Sequence, residues 1–178
     1  YLGDGEGILV NLPMFHVGGT SPTYAALVRG GSAYFVDGFS TTKFWEQVRE
    51  GNCVTTCGLI GVMAAFLAKS EPRPDDHDNP LKCLTMFPVN EDTVAFAHRF
   101  GFEYLTGFNM TEVSAPLVTD LNTRVYGSCG KPRTGIQARL VDDHDIEVAR
   151  GEIGELIVRS LHPWSMNAGY NGQPEATA

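Results

Sequence analysis

Two spacings of apolar residues alternate along the first 120 positions. Short apolar runs of the kind that form buried strands occupy residues 7–15, 32–38, 53–60, 81–87 and 102–108. Between these runs, apolar residues recur at helical spacing. A chain in which strands alternate with helices folds as a parallel sheet covered by helices. The pattern therefore predicts an α/β fold, with a parallel-rich sheet and flanking helices, over residues 7–120.

Capping residues and glycines predict where the helices begin and end. Ser21-Pro22 is typical of an N-cap followed by proline at the first helical position, and Gly30-Gly31 should end that helix. Ser40 or Thr41 is expected to cap the second helix, and Asn90 to begin the fourth. Four apolar residues of the third helix are predicted to face inward: Val62, Met63, Phe66 and Leu67.

The pattern changes near Gly127, where helical spacing disappears. IQARLVDD at 136–143 and GEIGELIVRS at 151–160 alternate in the manner of strands. We expect antiparallel structure here, appended to the α/β part. The chain is thus predicted to divide into an α/β subdomain at 1–126 and an antiparallel, barrel-like segment at 127–178.

The balance of charge excludes some classes of partner. A formal net charge of −8 argues against a protein that covers nucleic-acid phosphates or an anionic membrane surface. No apolar run approaches the roughly 18 residues of a membrane-spanning helix, and no charged-then-apolar leader opens the chain. We expect a protein that acts on small molecules, without a nucleic-acid partner or a membrane span; these features leave the oligomeric state open.

Four cysteines, Cys53, Cys57, Cys83 and Cys129, lack any Cys-x-x-Cys spacing and lie in apolar or glycine-rich stretches. This setting is typical of buried, reduced thiols. Reduced thiols in turn predict a cytoplasmic location.

One short sequence, DDHD, occurs twice, at 75–78 and at 142–145. Three carboxylates around a histidine could hold a divalent metal ion. Both copies lie in turn-rich polar stretches, where solvated carboxylates are ordinary. We favour solvated turns for both.

The block LPMFHVGG at 12–19 is the first with candidate chemistry. A strand that ends in Phe15-His16 and continues into two glycines would place a pair of rings at the edge of a pocket. The glycines would leave room beside the rings for a ligand or for moving backbone. Taken alone, His16 is more often a satisfied core or edge residue.

The block GFNMTE at 107–112 offers groups that match a nucleotide. Phe108 can stack on a base, the Thr111 hydroxyl can bond a phosphate oxygen, and Glu112 can ligate Mg²⁺. The structural alternative is a helix N-terminus with Thr111 as its cap. A third block, GSCGKPRTG at 127–135, has glycines that hairpin turns would also explain.

The order and spacing of these blocks resemble the adenylate-forming superfamily of acyl-CoA synthetases, luciferases and peptide-synthetase adenylation domains. The resemblance covers essentially the whole chain, from LPMFHVGG through GFNMTE to GYNGQPEATA at 169–178. Within that superfamily, TMFPVNEDTVAFAHRFG at 85–101 and WSMNAGYNGQPEATA at 164–178 are most similar to the carnitine/crotonobetaine–CoA ligase group.

This resemblance implies a two-step reaction. A carboxylate attacks the α-phosphate of Mg·ATP, giving an acyl-adenylate and pyrophosphate, and the thiol of coenzyme A then displaces AMP. ATP, Mg²⁺, coenzyme A and a small carboxylic acid are therefore the expected cofactors and substrates. Two other possibilities stay open: an adenylating enzyme with an acceptor other than coenzyme A, and a noncatalytic nucleotide- or acyl-binding fragment.

The resemblance also implies roles for individual residues. Phe108 would stack on adenine, Thr111 would contact phosphate and Glu112 would hold Mg²⁺, which makes Thr111 and Glu112 the expected catalytic pair. The other residues implied are Thr85, Met86, Phe87, Pro88, Gly107, Asn109 and Met110 on the nucleotide side, and His16, Val17, Gly18 and Gly130 around the acid.

Some features depart from the family pattern. Asn109 stands where glycine is usual, and Met86-Phe87 replaces small residues beside the adenine. The family's phosphate-binding loop with its lysine, its ribose-binding aspartate and its domain with the catalytic lysine are expected outside these 178 residues. We therefore expect the isolated chain to be inactive.

Overall fold

A computed structural model describes residues 2–177, which form a mixed α/β fold of two compact units. The first unit runs through Thr106 and also includes Asp120–Ser128. The second combines Gly107–Thr119 with the chain from Cys129 onwards. The predicted fold class is confirmed, with antiparallel sheets beside the parallel ones. The predicted domain boundary at residues 126 and 127 stays a prediction, because compact units need not coincide with domains.

Parallel strands form the centre of the first unit. In chain order they are β1 (Gly7–Val10), β2 (Ser32–Phe35), β3 (Cys53–Thr56), β4 (Leu59–Ile60), β5 (Cys83–Phe87) and β6 (Glu103–Leu105). They pair in the orders β2-β1-β3 and β4-β5-β6, always parallel. Thr55 Oγ1 donates to the Cys83 carbonyl at 2.7 Å, so the two sheets adjoin along β3 and β5.

Four helices lie between these strands in the chain: α1 (Val17–Val28), α2 (Phe44–Glu50), α3 (Met63–Ala68) and α4 (Glu91–Phe100). Strand residues such as Leu9 and Leu84 are fully buried against helix residues such as Phe44 and Phe96. Trp45 stacks on Phe100 with ring centroids 4.0 Å apart. The core of this unit is therefore a sheet with aromatic-rich helices packed on it. This is the packing expected when strands and helices alternate along the chain.

The fourth helix begins where its residues predict. Asn90 accepts from Thr93 N, and Thr93 Oγ1 accepts from Asn90 N in return, which forms a capping box. Glu91 and Asp92 occupy the first turn, where carboxylates interact favourably with the helix dipole. Gly101, at φ 75°, supplies the left-handed residue that ends the helix.

The predicted start of the first helix is wrong. The helix begins at Val17, and Pro22 lies inside it rather than at its first position. The cap is His16, whose Nδ1 accepts from Gly18 N at 2.9 Å. A Cβ on Gly19 would stand 2.3 Å from the Pro13 carbonyl oxygen, so this start needs glycine. A side-chain cap upstream of Ser21 thus takes the place of the predicted one.

Two further details of the helices differ from expectation. The N-cap of α2 is Lys43 and makes no side-chain cap bond; Ser40 contributes its carbonyl to Phe44 N instead of its hydroxyl. In α3, Ala64 and Leu67 are buried, whereas Val62 and Phe66 are 60% and 50% exposed. Leu67 is thus inward as predicted, and Met63 packs half-buried against the core. The prediction is wrong for Phe66 and for Val62, which precedes the short helix.

Several predicted strands are shorter in the structure. β1 ends at Val10 rather than at residue 15. The 53–60 run is divided after Thr56, where Gly58 adopts φ 147°. The 102–108 run is divided at Thr106, which separates a parallel strand from an antiparallel one. A turn inside an apolar run does not change the spacing of the apolar residues, so the sequence pattern does not show where these strands end.

Antiparallel strands form the second unit, with a short helix α5 (Pro174–Thr177) near its end. The strands are β7 (Gly107–Met110), β8 (Ser114–Val118), β9 (Lys131–Pro132), β10 (Ile136–Val141) and β11 (Glu155–Ser160). They pair in the order β7-β8-β9 and as a separate β10-β11 hairpin. The prediction of antiparallel strands after residue 127 is confirmed, but the antiparallel structure already begins at Gly107.

Among residues 2–177, no helix combines the length and the apolar character that crossing a membrane requires.

Candidate functional site

The GFNMTE segment forms one arm and the tip of a β-hairpin. Strand β7 pairs with β8, so that Phe108 opposes Leu117 and Met110 opposes Ser114. Residues 111–113 form the loop between the strands. The helix-cap alternative for Thr111 is therefore wrong. The missed strand β8 had a usable signal, since the run APLV follows the first strand after a short loop.

Asn109 meets no backbone conflict in this hairpin. It belongs to strand β7, and the residue of this hairpin with a positive φ is Ser114, at 58°. The pairing shifts register between Phe108 and Met110, which is a β-bulge. Because the φ of Asn109 is not positive, this position does not require glycine.

Thr111 and Glu112 are neighbours at the tip of this hairpin. Thr111 is exposed, and its hydroxyl forms no hydrogen bond within the described residues. The Glu112 side chain accepts a 2.6 Å hydrogen bond at Oε1 from the Tyr170 hydroxyl. This bond lowers the pKa of the Glu112 carboxyl and raises that of the Tyr170 phenol. The tip therefore presents an ionised carboxylate beside a free hydroxyl.

Tyr170 is a contact that sequence reasoning missed. It lies 58 residues from Glu112 along the chain, so no spacing rule connects the two positions. The same segment also holds the Glu112 backbone, because Asn167 N donates to the Glu112 carbonyl at 2.9 Å. The GYNGQPEATA block pointed to the region but not to this contact.

Phe108 and two glycines complete the predicted residues of the second unit. Phe108 is half-buried, and its ring packs on no other aromatic ring of residues 2–177. Gly107 lies so close to β8 that a Cβ would stand 2.5 Å from the Leu117 carbonyl oxygen. Gly130, at φ 91°, would bring a Cβ within 2.1 Å of Val118 backbone atoms. Both glycines are needed for close backbone approach.

In the first unit, the LPMFHVGG block forms the start of α1. The His16 ring is exposed, and its Nδ1 is occupied by the cap bond to Gly18 N. Its Nε2 makes no hydrogen bond to a described residue. Val17 is half-buried, and Gly18 is buried against Leu12. His16 thus has a structural role as a helix cap, and its second ring nitrogen has no hydrogen-bonding partner among residues 2–177.

The predicted adenine-side residues lie at the carboxyl end of β5. Thr85 and Phe87 share one face of the strand and are half-buried, whereas the Met86 side chain is fully buried in the core. Pro88 follows and is exposed. The Met86 side chain therefore belongs to the core rather than to a ligand surface, and its bulk does not restrict the opposite face of the strand.

A buried polar pair at the carboxyl ends of β1 and β3 was also missed. Thr56 Oγ1 donates to Asn11 Oδ1 at 2.6 Å, and both residues are almost completely buried. Asn11 Nδ2 has no partner within the described residues. The run GILVNL does contain a polar residue in a buried strand, and this was the available signal.

The DDHD copy at 75–78 lies in a turn and is exposed as predicted, except at Asp76. Asp76 is buried, and its Oδ2 accepts from Arg99 Nε at 2.7 Å. That hydrogen bond lowers the pKa of the Asp76 carboxyl. Residues 142–145 do form an exposed turn, in which Asp142 Oδ1 accepts from His144 N. No group of three His, Cys, Asp or Glu side chains in residues 2–177 is placed to hold a metal ion.

The predicted residues thus fall into separate clusters. Within the second unit the hairpin brings together residues 107–112, and Gly130 contacts its β8 strand. Within the first unit, residues 85–88 lie at the carboxyl end of β5, and residues 16–18 follow β1 along the chain. In parallel sheets, ligands bind at these strand ends.

A protein-family model and curated relatives match nearly all of this chain. The family model described as "AMP-binding enzyme" matches residues 1–170. A crotonobetaine/carnitine–CoA ligase from Salmonella arizonae is 28% identical over 176 residues, which cover 96% of this chain and 34% of the ligase. The Escherichia coli ligase of the same name is 30% identical over 184 residues, covering 99% of this chain and 35% of the ligase. The chain spans about a third of the length of these curated relatives.

Solved structures share the fold. The N-terminal domain of FACL13 from Mycobacterium tuberculosis superimposes with a TM-score of 0.83 at 21% identity, covering 99% of this chain and 45% of that one. O-succinylbenzoate coenzyme A synthetase from Bacillus subtilis, in complex with ATP and magnesium ion, gives a TM-score of 0.82 at 19% identity. That match covers 99% of this chain and 36% of the synthetase.

Proposed function

Because this chain belongs to the AMP-binding enzyme family, we propose that the protein containing it is an AMP-forming acid–coenzyme A ligase. The enzyme activates a carboxylic acid with ATP, releases pyrophosphate, and transfers the acyl group from AMP to the thiol of coenzyme A. The observation that carries this proposal is the hairpin tip, where an exposed Thr111 hydroxyl stands beside the ionised Glu112 carboxylate. Curated ligases that match nearly all of this chain support it.

Mg²⁺ is proposed to bind through Glu112. The residue fits the ion because its carboxylate is ionised, lies at a loop tip, and offers the oxygen ligand that Mg²⁺ prefers. A single protein carboxylate is sufficient, since Mg²⁺ in such sites takes its other ligands from water and substrate phosphates. The Bacillus subtilis synthetase named above was solved in complex with ATP and magnesium ion, which makes Mg²⁺ the first cation to test here. When bound, the ion would neutralise negative charge on the phosphates.

The other side chains would bind and orient the reactants. The Thr111 hydroxyl would donate to a phosphate oxygen, and it forms no competing hydrogen bond within the described residues. Phe108 would stack on adenine through its half-exposed ring. Thr85, Phe87 and Pro88 are proposed to contact the nucleotide, and Met86 only through its backbone. Positioning two anions and neutralising their charge is the main contribution of a protein to this chemistry.

The acid is proposed to meet the start of α1. His16 would contact it through Nε2, since Nδ1 is occupied by the cap bond. Val17 and Gly18 continue the same segment. For Gly130, which belongs to the second unit, a role at the acid stays a prediction from the sequence. The names of the curated relatives make carnitine and crotonobetaine the first acids to test.

We also propose that the enzyme acts in the cytoplasm, where ATP and coenzyme A are available. The four cysteines support this, since all of them are free thiols.

A panel of carboxylic acids, tested with the full-length protein, would decide the function. Carnitine, crotonobetaine and unrelated short-chain acids are supplied with Mg·ATP, and acid-dependent release of pyrophosphate is measured. Coenzyme A is then added, and the thioester is identified by mass spectrometry. We expect both products for at least one acid, and loss of both in Glu112→Gln.

Each other outcome has a defined meaning. Release of pyrophosphate without formation of a thioester would indicate that the acyl group is transferred to an acceptor other than coenzyme A. Binding of ATP without pyrophosphate release, for every acid, would contradict the proposal and favour a noncatalytic nucleotide-binding role.

A further inference from the structure

The segment that ends in Tyr170 holds Glu112 at two points. The Tyr170 hydroxyl donates to Glu112 Oε1 at 2.6 Å, and Asn167 N donates to the Glu112 carbonyl at 2.9 Å. One bond fixes the side chain of the glutamate, and the other fixes its backbone. Both come from a part of the chain remote in sequence from the hairpin. The position of this carboxylate is therefore not set by the hairpin alone.

Tyr170 is itself held in place. Its backbone N–H donates to Thr177 Oγ1 at 2.9 Å, and Thr177 Oγ1 donates to the Gln173 carbonyl at 2.9 Å. Gly169, at φ 129°, permits the turn that leads into the tyrosine, and a Cβ there would stand 2.5 Å from Thr177 Cγ2. These two bonds close a short loop and hold the backbone from which the Tyr170 side chain reaches Glu112.

The hydrogen bond from Tyr170 makes the two carboxylate oxygens of Glu112 inequivalent. Tyr170 donates to Oε1, whereas no other residue of the described chain donates to Oε2, so Oε2 is the more accessible oxygen for a cation. A glutamate at an exposed loop tip would otherwise sample several rotamers, most of which direct the carboxylate elsewhere. Partners that hydrogen-bond to a metal-ligating carboxylate commonly orient it in this way.

We propose that Tyr170 is a positioning residue that holds Glu112 as a one-oxygen ligand for the divalent cation of ATP. This inference rests on the proposed function, because it assumes that Glu112 meets the cation. Tyr170 acts through Glu112 and touches neither the phosphates nor the acid in this assignment.

The test is Tyr170→Phe in the full-length protein, which removes one hydroxyl and keeps the ring. Binding of Mn²⁺ in the presence of a non-hydrolysable ATP analogue is followed by electron paramagnetic resonance. We expect the Mn²⁺ concentration for half-saturation to rise roughly tenfold, as is usual when a metal ligand loses its hydrogen-bonding partner. The Mg²⁺ requirement for pyrophosphate release should rise in parallel, while the KM for the acid stays within about twofold.

Two further variants make the test specific. Tyr24→Phe removes the hydroxyl of an exposed tyrosine on α1 and should leave the Mn²⁺ titration unchanged. In a Glu112→Gln background, Tyr170→Phe should cause no additional loss of Mn²⁺ binding, because its effect passes through the carboxylate.

Superimposable Mn²⁺ titrations of the wild type and Tyr170→Phe would overturn the inference. So would a loss of activity with an unchanged metal requirement, which indicates a merely structural role. A different result would contradict the proposed function, namely that the wild type releases no pyrophosphate with any acid. The Mn²⁺ titration still decides the role of Tyr170 in that case, because it does not depend on turnover.

Discussion

Thr56 and Asn11 form a buried hydrogen bond that ties the carboxyl end of β3 to that of β1, with Thr56 Oγ1 2.6 Å from Asn11 Oδ1. Replacing Thr56 by valine keeps the shape of the side chain but leaves the asparagine oxygen without its donor. We expect the free energy of unfolding to fall by about 1–3 kcal/mol, the usual cost of an unsatisfied buried polar group. Urea denaturation of the full-length protein measures the difference.

The double variant Asn11→Leu/Thr56→Val should recover part of that loss, since both polar groups are removed together. Thr41→Val is the matched control, because Thr41 is exposed, and it should change stability by no more than about 0.5 kcal/mol. Equal stability of wild type and Thr56→Val would show that this bond contributes nothing net.

Asp76 should give the protein part of its acid sensitivity. Its folded-state pKa is lowered by the hydrogen bond from Arg99. The stabilisation is therefore fully present above the unfolded value of about 3.9 and is lost as the pH falls through the folded pKa. Asp76→Asn should lower stability at pH 7 by about 2 kcal/mol and flatten the stability profile below pH 4. Thermal unfolding from pH 7 to pH 3 measures both effects.

The neighbouring Asp75 provides the control. It pairs with Arg73 at 3.1 Å, but both side chains are largely exposed, so Asp75→Asn should change stability by less than about 1 kcal/mol. If Asp75→Asn and Asp76→Asn had the same profile, burial of Asp76 would not be the source of its effect.

Much of the first unit was predictable because its local signals agree with the final packing. Asn90, Thr93 and Gly101 cap α4 as their residue types suggest, and the parallel sheet follows from alternating apolar spacings. The start of α1 was not predictable in the same way. The Ser21-Pro22 pair is a good local signal, but the His16 cap and the contact of Gly19 with Pro13 outweigh it.

In the candidate site too, some features were predictable from the sequence and others were not. Thr111 and Glu112 could be identified from the GFNMTE motif. The motif alone fits a helix start equally well, and only the run APLV that follows it indicates the second strand of a hairpin. Tyr170 was not predictable at all, since its contact with Glu112 joins positions 58 residues apart. Motifs indicate chemistry, whereas contacts between distant segments are fixed only by the fold.

Gly130→Ala should disrupt the second unit. Position 130 has φ 91°, and a Cβ would stand 2.1 Å from the Val118 carbonyl carbon and oxygen. Backbone strain and steric overlap act together there, so we expect a loss of roughly 3 kcal/mol or more. Gly38→Ala, where no atom lies within 4 Å of the added Cβ, should cost less than about 1 kcal/mol. Limited proteolysis and thermal unfolding compare the two variants; equal stability would contradict the predicted clash.

Cysteine reactivity should follow burial. Burial raises the pKa of the Cys53 and Cys83 thiols to about 11 in each case, whereas Cys129 is exposed. Since the thiolate is the reactive form, iodoacetamide at pH 8 should modify Cys129 at least about tenfold faster than either buried thiol. Peptide mass spectrometry resolves the sites, and urea should remove the difference. Rapid modification of Cys53 in the folded protein would contradict the burial of β3.

The hairpin tip allows catalytic and structural roles to be separated. Thr111→Ala or Glu112→Gln in the full-length protein should slow acid-dependent pyrophosphate release by roughly a hundredfold, because charge stabilisation at the phosphates grows in the transition state. Thr111 caps no helix, and its hydroxyl has no partner within residues 2–177. Thr111→Ala should therefore unfold at the same urea concentration as the wild type. Thr41→Ala, at an exposed position, is the control and should retain full activity. Normal turnover by Thr111→Ala would remove the threonine from the phosphate site and leave Glu112 to be tested alone.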